Sequence, residues 1–122
     1  MKILIVEDDK DISWIWQEGF KSKNHIIKAA EDGEEALKLV KSFSPEMILL
    51  DLLLPKKDGM SVLAELKADS DFKNIPVIVL SNLSNDENIK KALSLGAVDY
   101  FVKSQHPVYE IIEKVQQYIE KK

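Results

Sequence analysis

The sequence predicts an α/β protein in which five parallel strands form one doubly wound sheet flanked by five helices. Three observations lead there. Short apolar runs recur five times, each is followed by a longer segment with apolar residues at helical spacing, and no linker or low-complexity stretch interrupts the alternation. The short runs are Ile3–Val6, His25–Ala29, Met47–Leu50, Val77–Leu80 and Val98–Val102. Most are almost wholly apolar, as suits parallel strands covered on both faces. His25–Ala29 is the least apolar and is expected at an edge of the sheet.

The intervening segments read as helices. Asp11 to Phe20 carries Ile12, Ile15, Trp16 and Phe20 on one face, with Trp14 off that stripe. Asp32-Gly-Glu-Glu35 has the form of a capping box ahead of Ala36, Leu37 and Val40. Asp58-Gly59 precedes Met60, Leu63 and Leu66, with Asp58 expected as a cap or turn residue. Ser84-Asn-Asp-Glu87 is a second predicted capping box, before Ile89, Ala92 and Leu93, and Gly96 is the expected stop. Pro107 suits the first position of a last helix carrying Val108, Ile111, Ile112, Val115 and Ile119. Lys114, Lys121 and Lys122 read as a solvated helix end.

With 122 residues, 45% of them hydrophobic, the chain has the size and apolar content of one domain spanning 1–122. It has no cysteine, which excludes disulfides and thiolate metal sites and fits a reducing cytoplasm. The apolar run at the N-terminus meets Glu7 too soon for a signal peptide, and no run approaches the roughly 18 apolar residues of a membrane helix. A net charge of −4, with scattered lysines and no helix-turn-helix pattern, argues against direct nucleic-acid binding.

In doubly wound sheets the ligand site lies beyond the carboxyl ends of the strands. The residues there are Glu7, Asp8 and Asp9 after the first strand, Asp51 after the third, Ser81 after the fourth and Lys103 after the fifth. Clustered carboxylates call for a cation. An all-oxygen donor set without His or Cys favours magnesium, or manganese. A carboxylate in such company can act as a nucleophile toward a phosphoryl group. Magnesium and Lys103 would neutralise the phosphoryl charge, and Ser81 would donate a hydrogen bond to it.

The pieces ILIVEDD, MILLDLLLPKKDG, PVIVLSN and GAVDYFVKS, in that order over essentially the whole chain, resemble the receiver domains of response regulators. The resemblance implies the flavodoxin-like, CheY-like strand order 2-1-3-4-5. It implies that Glu7, Asp8, Asp51 and the backbone carbonyl of Leu53 hold magnesium and that Asp51 is the phosphoacceptor. Ser81 and Lys103 would assist the transfer, and Ser81 with Tyr100 would form the switch. A histidine kinase or histidine phosphotransferase would be the donor. An output partner would read the face of helix 4, strand 5 and helix 5, and the domain would be a monomer or dimerise on phosphorylation. The domain would catalyse only its own phosphorylation and dephosphorylation. In receivers the side chains two past the phosphoacceptor and two past the hydroxyl residue govern the hydrolytic water; here both are leucine, Leu53 and Leu83, which implies slow hydrolysis.

The sequence departs from the family pattern at three points. Ser104 follows the lysine where proline is usual, so a trans Lys103–Ser104 bond is expected, a cis one costing about 3 kcal/mol. Asn82 replaces a small residue after Ser81, and the metal pair is Glu-Asp. Asp9 reads as a helix cap, His25 and His106 as structural or surface residues, and Trp14 as either an exposed aromatic or part of a docking surface. Two other classes share parts of the pattern. A haloacid-dehalogenase-type phosphatase needs a second acid where Leu53 stands, and a flavodoxin needs a hydroxyl- and glycine-rich loop where Glu7-Asp8-Asp9 stands. A phosphorylation-independent pseudo-receiver would not need the intact acid, hydroxyl and lysine set. The sequence stops soon after the fifth helix, as expected either of a single-domain regulator or of a fragment of a longer protein.

Overall fold

The computed structural model describes residues 1–121, so Lys122 of the expected solvated end lies outside the described residues. The chain alternates β1 (Lys2–Val6), α1 (Lys10–Lys21), β2 (Ile26–Ala30), α2 (Gly33–Phe43), β3 (Met47–Leu50), α3 (Gly59–Ala68), β4 (Val77–Ser81), α4 (Asp86–Leu95), β5 (Asp99–Val102) and α5 (Val108–Glu120), with a 3₁₀ turn at Lys103–Gln105. The strands pair in parallel in the order β2-β1-β3-β4-β5. This is the doubly wound architecture that the alternating runs predict.

Strand side chains alternate between faces, so the sheet divides the interior into two compartments. Leu4, Val6, Ile48, Leu50, Val77 and Val79 face one, under α2, α3 and α4. Ile3, Ile5, Met47, Leu49, Ile78 and Leu80 face the other, under α1 and α5 with Trp16 and Phe20. β2 is an edge strand, as its weak apolar pattern predicts, with Ile26 and Lys28 exposed.

Three aspartates start helices. Asp9 accepts the N–H groups of Asp11 and Ile12 at 3.0 and 3.1 Å, Asp32 that of Glu35 at 2.8 Å, and Asp58 that of Ser61 at 3.0 Å. Each satisfies a donor that the first helical turn leaves unpaired. Glu35 answers Asp32 one residue early, accepting the N–H of Glu31 at 2.8 Å.

Four local expectations are corrected. The second capping box does not form: the N-cap of α4 is Asn85, it makes no side-chain cap bond, and its amide oxygen takes the Asn88 amide at 2.6 Å instead. Pro107 is the N-cap of α5, one position before the helix. Ile15 and Leu93, placed on apolar stripes from spacing alone, are 43% and 44% exposed. Neither belongs to the buried set of its helix, which is Ser13, Trp16 and Phe20 in α1 and Ala92 in α4. Gly96 does close α4, with a φ of +116°.

Two glycines hold the β3–α3 loop. A Cβ on Gly59 would stand 2.1 Å from the Asp51 carbonyl oxygen, and one on Gly33 would stand 2.0 Å from that of Lys57. Both backbones approach where no side chain fits, and the loop passes between the starts of α2 and α3.

Candidate functional site

Because β1, β3, β4 and β5 are parallel and adjacent, their carboxyl ends open on one edge of the sheet. Glu7 and Asp51 follow β1 and β3, Ser81 is the last residue of β4, and Lys103 opens the turn after β5. Glu7, Asp51 and Ser81 are three of the four buried polar residues among those described, Ser13 on α1 being the other. Such groups persist only when paired. For the two acids Lys103 supplies the pairing, its ammonium donating to Glu7 Oε1 at 2.5 Å and to Asp51 Oδ2 at 2.9 Å. The second oxygen of Glu7 accepts the Asp9 N–H at 3.2 Å, and that of Asp51 accepts the Leu53 N–H at 3.2 Å.

Burial pushes the Glu7 carboxyl above its ordinary range, and the Lys103 and Asp9 hydrogen bonds pull it back only in part. For Lys103 burial works against the charge, but the hydrogen bonds and charges of Glu7 and Asp51 prevail and raise it. The ammonium is therefore a fixed positive charge between two strand ends.

Ser81 Oγ accepts the Leu83 N–H at 3.3 Å, while the Tyr100 hydroxyl donates to the Leu83 carbonyl at 2.6 Å. One residue of the β4–α4 loop is thus held by both the hydroxyl at the site and the aromatic on β5. Burial raises the Tyr100 phenol above its usual value.

Carboxylate oxygens of Glu7, Asp8 and Asp51 lie within 4.8 Å of one another. Three carboxylates less one ammonium leave two negative charges to balance, which suits a divalent ion. The donor set is all oxygen, and Asp8 is exposed to solvent, as fits a hard cation that keeps part of its water shell. The Leu53 peptide adjoins this set through its bond to Asp51, and the Leu53 side chain points out, 54% exposed.

The structure therefore brings together Glu7, Asp8, Asp51, Ser81 and Lys103, with Tyr100 one hydrogen-bond relay away. It keeps Asp9 and Asp58 in capping roles. His25 bonds the Met1 amine at 3.0 Å and Gln116 at 2.7 Å, and His106 pairs with Glu110 at 2.8 Å, so neither joins the site. Trp14 is exposed at 61%. The Lys103–Ser104 bond is trans, there being no cis peptide among the described residues. Sequence reasoning missed Gly33 and Gly59 as supports of the Asp51 loop. Their only sequence signal is the repeated Asp-Gly pair, which reads first as a cap.

The fold and this arrangement of acids, hydroxyl and lysine define a class, and comparison with known proteins agrees. The family model of the response regulator receiver domain matches residues 3–116, and the chain belongs to that family. It is 39% identical over 106 residues to a probable transcriptional regulator, ycf27, of Porphyridium aerugineum, covering 87% of this chain and 43% of that protein. The chain thus spans less than half of that relative's length. It is 35% identical over 127 residues to response regulator Rcp1 of Synechocystis sp., covering 95% and 86% of the two. A solved Mn²⁺-bound form of Rcp1 superposes with a TM-score of 0.82 at 36% identity, covering 95% of this chain and 89% of that one. The phosphorylated cyanobacterial phytochrome response regulator RcpA superposes with a TM-score of 0.86 at 35% identity, covering 96% and 91%. Among the described residues no helix is long and apolar enough to cross a membrane.

Proposed function

We propose that this domain is a phosphorylation-dependent switch of a two-component or phosphorelay system in which Asp51 accepts the phosphoryl group. The observation that carries the reading is Lys103, held by hydrogen bonds to both Glu7 and Asp51 at the rim of the sheet. An Asp51 oxygen attacks the phosphorus of a phosphohistidine on a kinase or phosphotransferase; the P–N bond breaks and the imidazole leaves with a proton. The Lys103 ammonium meets the negative charge of the transferring group, and Ser81 turns its hydroxyl from Leu83 toward it. Glu7, Asp8, Asp51 and the Leu53 carbonyl would hold magnesium or manganese, whose charge screens the phosphoryl oxygens from the acidic edge. Manganese in the Rcp1 structure supports a divalent ion in this place. The domain catalyses its own phosphorylation and dephosphorylation and no other reaction. The phosphatase alternative has no support: Leu53 provides no second acid.

Tyr100 extends the change to the face of α4, β5 and α5, where Leu93 and Val98 are exposed for an output partner. Intact mass after treatment with a small phosphodonor and magnesium tests the assignment. Wild type gains one phosphoryl group and Asp51→Asn gains none; an equal gain in the variant refutes it.

A further inference from the structure

Away from the phosphorylation site, Trp14 stands with 61% of its surface in water, though tryptophan is among the side chains that gain most from burial. It forms one wall of a cleft of about 380 Å³ between α1 and the β2–α2 connection. Glu31 and Glu35 line the same cleft, together with Ala29 and Gln17. The Glu35 carboxylate is oriented by the Glu31 N–H at 2.8 Å. Lys10, one turn before Trp14, reaches Glu31 only loosely, at 3.8 Å, from a side chain that is 81% exposed.

An exposed indole and two carboxylates lining one cleft suit a cation with an apolar, planar body. The ring quadrupole attracts the charge, and the acids pair with its donors. Guanidinium fits both demands: it stacks on the indole and forks onto a carboxylate, which ammonium does not. The chain contains no arginine, all 17 of its basic residues being lysine. A second copy therefore offers no guanidinium.

We propose that the cleft between α1 and the β2–α2 connection seats an arginine side chain of a different protein, stacked on Trp14 and paired with Glu31 and Glu35. The Lys10 contact is the intramolecular stand-in that the incoming arginine displaces. The proposal is independent of which residue accepts a phosphoryl group.

The test is a titration of the full chain, followed by two-dimensional amide NMR at the Trp14 indole N–H and the Glu31 and Glu35 amides. The probes are three capped alanine pentapeptides with a central arginine, lysine or citrulline. The arginine peptide is expected to shift these signals and citrulline, its neutral isostere, to leave them. Trp14→Leu keeps the apolar bulk but removes the ring, and is expected to weaken arginine binding about three- to fivefold, the scale of an exposed cation–π contact. Glu31→Gln is expected to weaken it similarly. Shifts spread evenly over the acidic edge and unchanged in Trp14→Leu would reveal counterion attraction alone and overturn the proposal. Equal binding of the lysine peptide would overturn the guanidinium assignment.

Discussion

At the level of single residues, on the proposed function, Leu53 and Leu83 are expected to set the lifetime of the phosphorylated form. Hydrolysis needs a water in line with the phosphorus, and neither leucine offers it a hydrogen bond. Replacing Leu53 by Asn, or Leu83 by Glu, is expected to speed decay of the phosphorylated protein on the order of tenfold, the effect of one good hydrogen bond to a charged transition state. The decay rate by mass spectrometry or gel shift is the check, and an unchanged or slower decay refutes control by these side chains. Leu53 is exposed, so its replacement leaves the core intact. A second residue-scale expectation concerns the metal. On the proposed function Asp8→Ala removes a metal-holding carboxylate, and titration should show magnesium binding weakened severalfold with the fold unaltered, since Asp8 is exposed and belongs to neither core compartment. The candidate site residues were legible because each lies at the carboxyl end of its strand, where a parallel sheet of this topology places its ligand edge. Gly33 was not, because its reason to be glycine is Lys57, 24 positions away, and no local pattern records that approach.

At the level of elements, the helix starts are the testable features. Asp58 accepts both the N–H and the hydroxyl of Ser61 at 3.0 Å, and the Ser61 N–H in particular holds its carboxyl below the usual value. A depressed folded-state pKa contributes stability that is complete above the ordinary aspartate range and is lost as pH falls through the folded value. Asp58→Ala is therefore expected to cost about 1 kcal/mol at neutral pH, discounted somewhat because the group is largely in solvent. The difference from wild type should shrink in acid. Urea denaturation at pH 7 and at pH 2.5 measures both. A cost that persists undiminished at the lower pH would mean that Asp58 acts by something other than its charge. The elements themselves were legible where pattern and packing agree: β3 is an unbroken apolar run, β4 is one up to its last residue, Ser81, and both are buried throughout. α4 shows the limit. Ser84 and Glu87 have capping-box spacing, yet the chain enters the helix one residue later, where the Asn85–Asn88 side-chain bond takes the oxygen that would cap it. Two acceptable caps next to each other cannot be ranked from sequence. Ile15 and Leu93 fail for a related reason, since a periodic stripe gives a direction but not the width of the surface it meets.

For the molecule as a whole, the sheet makes two separate interiors, and energetic independence should follow. Leu66→Ala falls in one compartment and Ile111→Val in the other. The first is expected to cost about 2–5 kcal/mol and the second about 0.5–1.5 kcal/mol. Their double variant should equal the sum within about 0.5 kcal/mol. Denaturant midpoints of the four proteins test this, and a larger departure would mean that the sheet transmits strain between its faces. Communication within the molecule is expected instead through the peptide of Leu83, whose N–H rests on Ser81 and whose carbonyl holds Tyr100. On the proposed function, that shared peptide has a thermodynamic consequence. If phosphorylation of Asp51 draws the Ser81 hydroxyl away and so loosens the Tyr100 latch, then a partner that binds only the unlatched form must favour the phosphorylated state by the same factor by which phosphorylation favours its binding. The output partner would then act on its own input, and the equilibrium extent of phosphorylation would rise with the partner's concentration even though the partner never touches Asp51.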